Sequence, residues 1–152
     1  MLAVIRIRGT MDRTKQVRHT FKLLNLMKPN HATIIPNDKT HRGMLQKVKD
    51  AATWGEIDEK TAKALIKKRG RITGNKPVSR SFFKDHGFKS IPDFVKALFA
   101  GKTDMRHIEG LKPLFRLNPP RKGFKSVKKS ITEKGDLGYR GEAINELLER
   151  MM

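Results

Sequence analysis

Leu2-Ala3-Val4-Ile5-Arg6-Ile7-Arg8 opens the chain as a run rich in β-branched residues, and Gly9 closes it. This is the composition of a strand. Side chains alternate across a strand, so Ala3, Ile5 and Ile7 fall on one side and Val4, Arg6 and Arg8 on the other. One face is expected to be apolar and the other partly basic. Working outward, Asp12 is an N-cap candidate for a helix over about 13–25, where Val17, Phe21 and Leu24 stand at i, i+4 and i+7. Pro29-Asn30 ends that unit. His31-Ala32-Thr33-Ile34-Ile35 is a second short strand, stopped by Pro36-Asn37. Thr40 begins a second helix with Met44, Leu45, Val48 and Ala52 inward and Lys47 and Lys49 outward, and Ala52-Thr53-Trp54-Gly55 can form a third strand. Residues 1–55 therefore read strand, helix, strand, helix, strand, an α+β unit whose two helices can cover one sheet face.

The remainder is more broken. Asp58 to Lys68 has the spacing of a helix with Ala62, Leu65 and Ile66 buried. Residues 67–84 carry seven cations and no acid. Ser90-Ile91-Pro92-Asp93 has the form of a capping box with proline in the first turn, leading into a helix on Phe94, Val95 and Leu98. Leu114 to Leu117 reads as a strand. After Asn118-Pro119-Pro120, residues 121–134 hold too few periodic apolar residues for a helix and read as an extended basic loop that orders against a partner. From Arg140 onward Ile144, Leu147, Leu148 and Met151 make one helical face. The expected organisation is a core over 1–56 and an extension over 57–152, containing helices, a basic loop at 112–134 and a C-terminal helix packed on the core.

Charge narrows the partner. The 152 residues include 34 Lys and Arg against 15 Asp and Glu, a net charge of +19 at pH 7. Solubility needs only about 2–8 net charges in a small domain. Like charge at this density repels itself, and a polyanion relieves the repulsion by giving up its condensed counterions. At this excess of charge, nucleic acid is favoured over an anionic membrane surface as the partner, and, separately, no apolar run nears the ~18 residues of a membrane span. The absence of cysteine excludes disulfides and thiolate metal sites and fits a cytoplasmic setting.

Little in the sequence asks for catalysis. Gly101-Lys102-Thr103 ends like a phosphate-binding loop, but Lys96 stands where the first glycine is required, inside a helix. Gly70 to Pro77 fails because its glycines are misplaced. His19, His31, His41, His86 and His107 include no pair at the i, i+4 spacing of a helical metal site. No acid–base set or nucleophile elbow is present, so neither cofactor, metal nor small-molecule substrate is expected. Trp54 fits a plug at the core's edge better than a stacking platform. Tyr139 and Phe124 lie among basic residues and glycines, where stacking on bases competes with packing.

The pattern becomes specific in four blocks: Thr40-His41-Arg42-Gly43-Met44 running into Leu45-Gln46-Lys47-Val48-Lys49-Asp50, Trp54-Gly55-Glu56, Phe115-Arg116-Leu117-Asn118-Pro119-Pro120-Arg121-Lys122-Gly123, and Gly135-Asp136-Leu137-Gly138. In order and spacing these resemble the long, archaeal form of the L-thirty family of large-subunit ribosomal proteins, related to eukaryotic L-seven. The resemblance runs from Leu2 to the final helix. It implies a small antiparallel sheet in a strand-helix-strand-helix-strand core akin to ferredoxin-like folds. It also implies binding to large-subunit ribosomal RNA near the 5S RNA, beside other ribosomal proteins, with no catalytic activity. The weaker alternatives are a free architectural DNA-binding protein, which lacks a recognition helix or wedge here, and a nucleotide-using enzyme, for which the loops above fail.

The candidate RNA contacts are Arg6 and Arg8 on the first strand, and Arg13, Lys15 and Arg18 on the first helix. His41, Arg42, Gly43 and Lys47 follow on the second helix, then Lys67, Lys68, Arg69, Arg71, Lys76 and Arg80 in the acid-free stretch. Arg116, Arg121, Lys122, Phe124, Lys125, Lys128 and Lys129 complete the set. Gly43 would let the backbone approach a phosphate at a helix N-terminus with free N–H groups, or would permit close helix–sheet packing. The stiff Pro119-Pro120 would project Arg121 and Lys122 away from the core.

Overall fold

In the computed structural model of the chain, every residue is described except Thr10 and Asp12, and every side chain except that of Arg80. Strand β1 (Leu2–Arg6) leads to helix α1 (Lys15–Leu23), strand β2 (His31–Ile35), helix α2 (Lys39–Lys47) and strand β3 (Ala52–Glu56). Helices α3 (Glu59–Arg69), α4 (Arg80–Asp85) and α5 (Ile91–Phe99) follow, then the two-residue strands β4 (Phe115–Arg116) and β5 (Gly138–Tyr139), and helix α6 (Ile144–Met151). The sheet order is β4-β2-β1-β3-β5. β1 runs antiparallel to both β2 and β3, and β4 is antiparallel to β2. β5 pairs parallel to β3, so the antiparallel sheet expected of the core carries one parallel edge strand.

The alternation along β1 holds, but both of its faces are covered. Leu2 and Val4 join Phe21, Leu24, Leu45, Val48 and Trp54 in a layer built with α1 and α2. Ala3 and Ile5 join Leu65, Ile66, Phe94, Leu98, Leu147 and Leu148 in a larger layer supplied by the rest of the chain. The second layer leaves β1 no solvent face, and this overturns the expectation for Arg6. Only 3% exposed, Arg6 donates from Nη1 to the carbonyls of Leu26 and Met27 (2.8 and 2.7 Å) and from Nε to the carbonyl of Arg8 (2.9 Å). Its guanidinium lies over the Phe21 ring, 4.6 Å from the centroid. Burial pulls its pKa below the ordinary arginine value, and the three carbonyls and the ring face offset the lost hydration. Arg6 is a structural cation whose guanidinium is turned inward, away from the surface on which a contact was expected.

Arg6 grips the exit of α1. That exit is a Schellman turn: Asn25 takes the left-handed conformation (φ 58°), its N–H donates to Lys22 O, and the Leu26 N–H donates to Phe21 O. The helix entrance is capped by the Thr14 hydroxyl, which accepts from the Val17 N–H; the expected cap, Asp12, lies outside the described residues. At α5 the expected capping box does not form. Asp93 accepts from the Lys89 N–H, while Ser90 makes no side-chain cap bond. α4, inside the acid-free stretch, is a six-residue helix. It delivers Phe83 to stack on Phe94, with centroids 4.9 Å apart.

Residues 121–134 are folded back on themselves and not extended. Asp136 is buried and accepts from the Ser126 N–H (3.1 Å) and from Arg140 Nη2 (2.6 Å). Arg150 donates to the carbonyls of Arg121 and Gly123. Burial alone would raise the Asp136 pKa, but the Arg140 hydrogen bond, the Ser126 N–H and the guanidinium charge together outweigh it, so the carboxyl is held below its ordinary value.

Two outcomes follow for stability. A Cβ on Gly55 would collide with the backbone of Gly141, which must shift to make room. Gly55→Ala should therefore cost about 3 kcal/mol in urea unfolding. Asp136 has a folded pKa below its unfolded one, so its contribution is present above the carboxylate range and is lost as pH falls through the folded pKa. Asp136→Asn should destabilise by about 2 kcal/mol at neutral pH. The gap to wild type should close below about pH 4 in parallel denaturation series.

Candidate nucleic-acid interface

The surface cations gather into three recesses, each fed by separate parts of the chain. Arg8 and Arg13 meet Lys49 and Lys128 around a recess of about 480 Å³, where the segment between β1 and α1, the α2–β3 turn and the basic loop converge. Arg8 Nη1 and Arg13 Nη2 both reach the carbonyl of Asp50 (3.4 and 3.3 Å), which aims the two side chains together. Asp50 and Glu133 also line this recess.

Arg121, Lys122 and Lys125 surround a second recess of about 470 Å³ with Arg150 and Glu146. The double proline does not throw this segment outward. Pro120 is buried, and the backbone runs along the end of α6, with the Asn118 N–H donating to Met151 O and the Arg121 N–H to Arg150 O. The side chains of Arg121, Lys122 and Lys125 remain exposed. Phe124 is half-buried and packs against the larger apolar layer, so its ring serves the core where a stacking contact was a candidate.

The third recess is the largest, about 650 Å³, and brings Lys67 together with Lys63, Lys84 and Lys89 beside Ser81 and Ser90. No acid lines it. Lys63 and Lys89 were not singled out by sequence reasoning. Only α3, α4 and α5 folded together place them beside Lys67, and the one available signal was the i, i+4 spacing of Lys63 and Lys67 on a single helix face.

The remaining candidates are dispersed. Lys15 and Arg18 are exposed on α1, Lys47 on α2, Lys68 on α3, Arg116 on the edge strand β4, and Lys76 and Lys129 on turns. Arg69 and Arg71 are half-buried and donate to the carbonyls of Met152 and Gly70. The side chain of Arg80 lies outside the described residues. Arg116 stands opposite His31 in the sheet. Burial, together with the charges of Arg116, Arg6 and Lys28, holds His31 below the ordinary histidine pKa. Its buried Nδ1 has no hydrogen-bond partner among the described residues.

The N-terminus of α2 differs from the expectation. Asp38 caps it, accepting from the His41 N–H (2.7 Å) and pairing with His41 Nδ1 (2.8 Å). Those bonds from His41 hold the Asp38 carboxyl below its ordinary pKa. The helix end therefore already carries its anion, and His41 is committed to it. Gly43 faces solvent with nothing within 4 Å of a would-be Cβ, so it serves no close helix–sheet packing. Arg42 is exposed and donates from Nε to Asn37 Oδ1 (2.7 Å). Tyr139 is also exposed. Its hydroxyl donates to the Glu56 carboxylate, and that bond raises the phenol above its ordinary pKa.

Comparison with known proteins gives this surface its context. A family model described as ribosomal protein L30p/L7e matches residues 2–51, the segment from β1 to the end of the α2 turn. A protein named large ribosomal subunit protein uL30 from Methanosphaera stadtmanae is 47% identical over the whole of both chains. Its namesake from Nanoarchaeum equitans is 46% identical, covering 99% of this chain and 97% of its own. That from Staphylothermus marinus is 46% identical over all of this chain and 98% of its own. With such relatives aligned from end to end, and the family match falling on the strands at the centre of the sheet, the chain belongs to the ribosomal protein L30p/L7e family.

Proposed function

We propose that this chain is a structural, non-catalytic constituent of the large ribosomal subunit in the cytoplasm. It binds and stabilises large-subunit ribosomal RNA near the 5S RNA, beside neighbouring ribosomal proteins and without cofactor, metal or small-molecule substrate. The observation that carries this reading is uncompensated charge. Of the 34 Lys and Arg, Arg140 alone is in an ion pair among the described residues. Cations left unpaired on several elements suit a partner that presents phosphates from several directions. Structured RNA, recognised mainly by shape, phosphate and 2′-hydroxyl, is such a partner.

On this reading the three recesses and the dispersed cations are contacts to the RNA, most of them to its phosphates. The residues that carry them are Arg8, Arg13, Lys15, Arg18, Arg42, Lys47, Lys67, Lys68, Lys76, Arg116, Arg121, Lys122, Lys125, Lys128 and Lys129. The extension over 57–152 supplies two of the recesses and part of the third. Arg69 and Arg71 contribute their charge at closer quarters to the core.

A cell lysate sedimented through sucrose at two salt concentrations tests the assignment. The protein should migrate with the large subunit in stoichiometric amount, persisting in moderate salt; migration at the top of the gradient would refute it. Arg121→Ala, Lys122→Ala and Lys125→Ala combined should lower incorporation. The same triple variant should make the log–log salt dependence of RNA binding shallower by about three, roughly one for each phosphate that is no longer neutralised. Normal incorporation of this variant would remove the loop from the interface.

A further inference from the structure

A recess of about 350 Å³ beside the β3–β5 edge differs in kind from the three cationic ones. Trp54 and Tyr139, paired across the parallel strands, supply aromatic walls. Asn37 and Gln46 add amides, Arg42 a cation and Glu56 an anion. Tyr139 is 57% exposed, yet its hydroxyl is pinned on the Glu56 carboxylate at 2.9 and 2.8 Å from the two oxygens. A ring that is open to solvent and already fixed in orientation loses little entropy when something stacks on it. Trp54 is only 6% exposed, and its indole N–H has no hydrogen-bond partner among the described residues. That N–H is not fully buried, so it stays open to an acceptor arriving from solvent. Arg42 uses Nε on Asn37, and its terminal N–H groups are unpaired among the described residues, as is the exposed amide of Gln46.

We propose that this recess binds a single unpaired nucleobase of RNA, stacked on Tyr139, with its edge hydrogen-bonded by the Trp54 indole, Gln46 and Arg42. The inference rests on the RNA-binding reading above and adds a base-reading site to it. Unpaired bases are the part of an RNA that proteins read by stacking and by edge hydrogen bonds. The Glu56 carboxylate on the wall repels a phosphate and retains lone pairs for an exocyclic amino group. The occupant is therefore a base bearing such a group, as adenine, cytosine and guanine do.

Trp54 is the sole tryptophan and lines this recess, so no other tryptophan contributes to the fluorescence that is read. Titrating the full chain with AMP should give saturable quenching that ribose 5-phosphate does not reproduce. Tyr139→Ala should weaken it about five- to a hundredfold, the range that base–aromatic stacking spans. Tyr139→Phe, which keeps the ring, should retain most of it. On large-subunit RNA, base-specific chemical probing should show an unpaired nucleotide protected by wild type and by Tyr139→Phe but not by Tyr139→Ala, with the other protections unchanged. Equal quenching by ribose 5-phosphate would make the recess a phosphate site and overturn the proposal. So would identical protections in wild type and Tyr139→Ala, which would leave the broader RNA-binding reading standing. Failure of wild type to protect the RNA anywhere would bring down both.

Discussion

Ala3 and Ile5 point into one apolar layer and Leu2 and Val4 into the other, so β1 has no solvent face on which to end in a charge. Arg6 nevertheless stands at its last position. A buried guanidinium is tolerated only where acceptors meet it. Here they are backbone carbonyls with no better use: those of Leu26 and Met27, just past the end of α1, and that of Arg8. The same residue accepts the Asn30 N–H on its own carbonyl (2.7 Å), so the segment joining α1 to β2 is fastened to β1 from both sides. Satisfying one buried cation thereby fixes where α1 stops, where β2 starts and how both sit on the sheet. The second layer, from residues 57–152, covers the other face of that frame.

The core uses few ionised groups, and this shapes the surface. Arg6, Arg140 and Arg150 are committed to internal carbonyls and to Asp136, and Asp38 is committed to a helix cap. Most other cations face outward. Residues 121–134 show how they are presented. Asp136 and Arg150 hold the backbone while Arg121, Lys122 and Lys125 stay exposed. A loop already folded binds an anion without first losing the entropy of ordering itself.

Much of this was legible, and the failures share a cause. The strand-helix-strand-helix-strand order over 1–55 follows from period-two and helical spacings that are purely local. So does the inward face of α6, where Ile144, Leu147, Leu148 and Met151 are all buried. Alternation along β1 assigns residues to faces, but it does not say what covers a face, and so Arg6 looks in sequence like a surface contact. α4 has only Phe82 and Phe83 as apolar residues in six, too few for a period to register. β5 is two residues long and owes its existence to the edge of β3. Gly43 suggests a bare helix end because the cap, Asp38, lies just outside the Thr40–Met44 block. The recesses were invisible for the same reason: Lys63 and Lys89, like Trp54 and Tyr139, become neighbours only through folding.

The few surface acids matter as much as the many bases. A surface of lysine and arginine alone would take phosphates in any register, since phosphate contacts carry affinity and position but no sequence information. Glu56, Glu133 and Glu146 each stand in a recess beside cations, whereas the lysine recess of α3, α4 and α5 has no acid. A carboxylate among cations marks a place where a phosphate is disfavoured and a neutral donor is not. On the proposed reading, the lysine recess would supply unselective attraction, while the recesses that hold Glu56, Glu133 and Glu146 would restrict how an RNA lies. With a net charge of +19, attraction for a polyanion is plentiful, and on the proposed reading it is the placement of the negative groups that would limit the number of ways an RNA can dock.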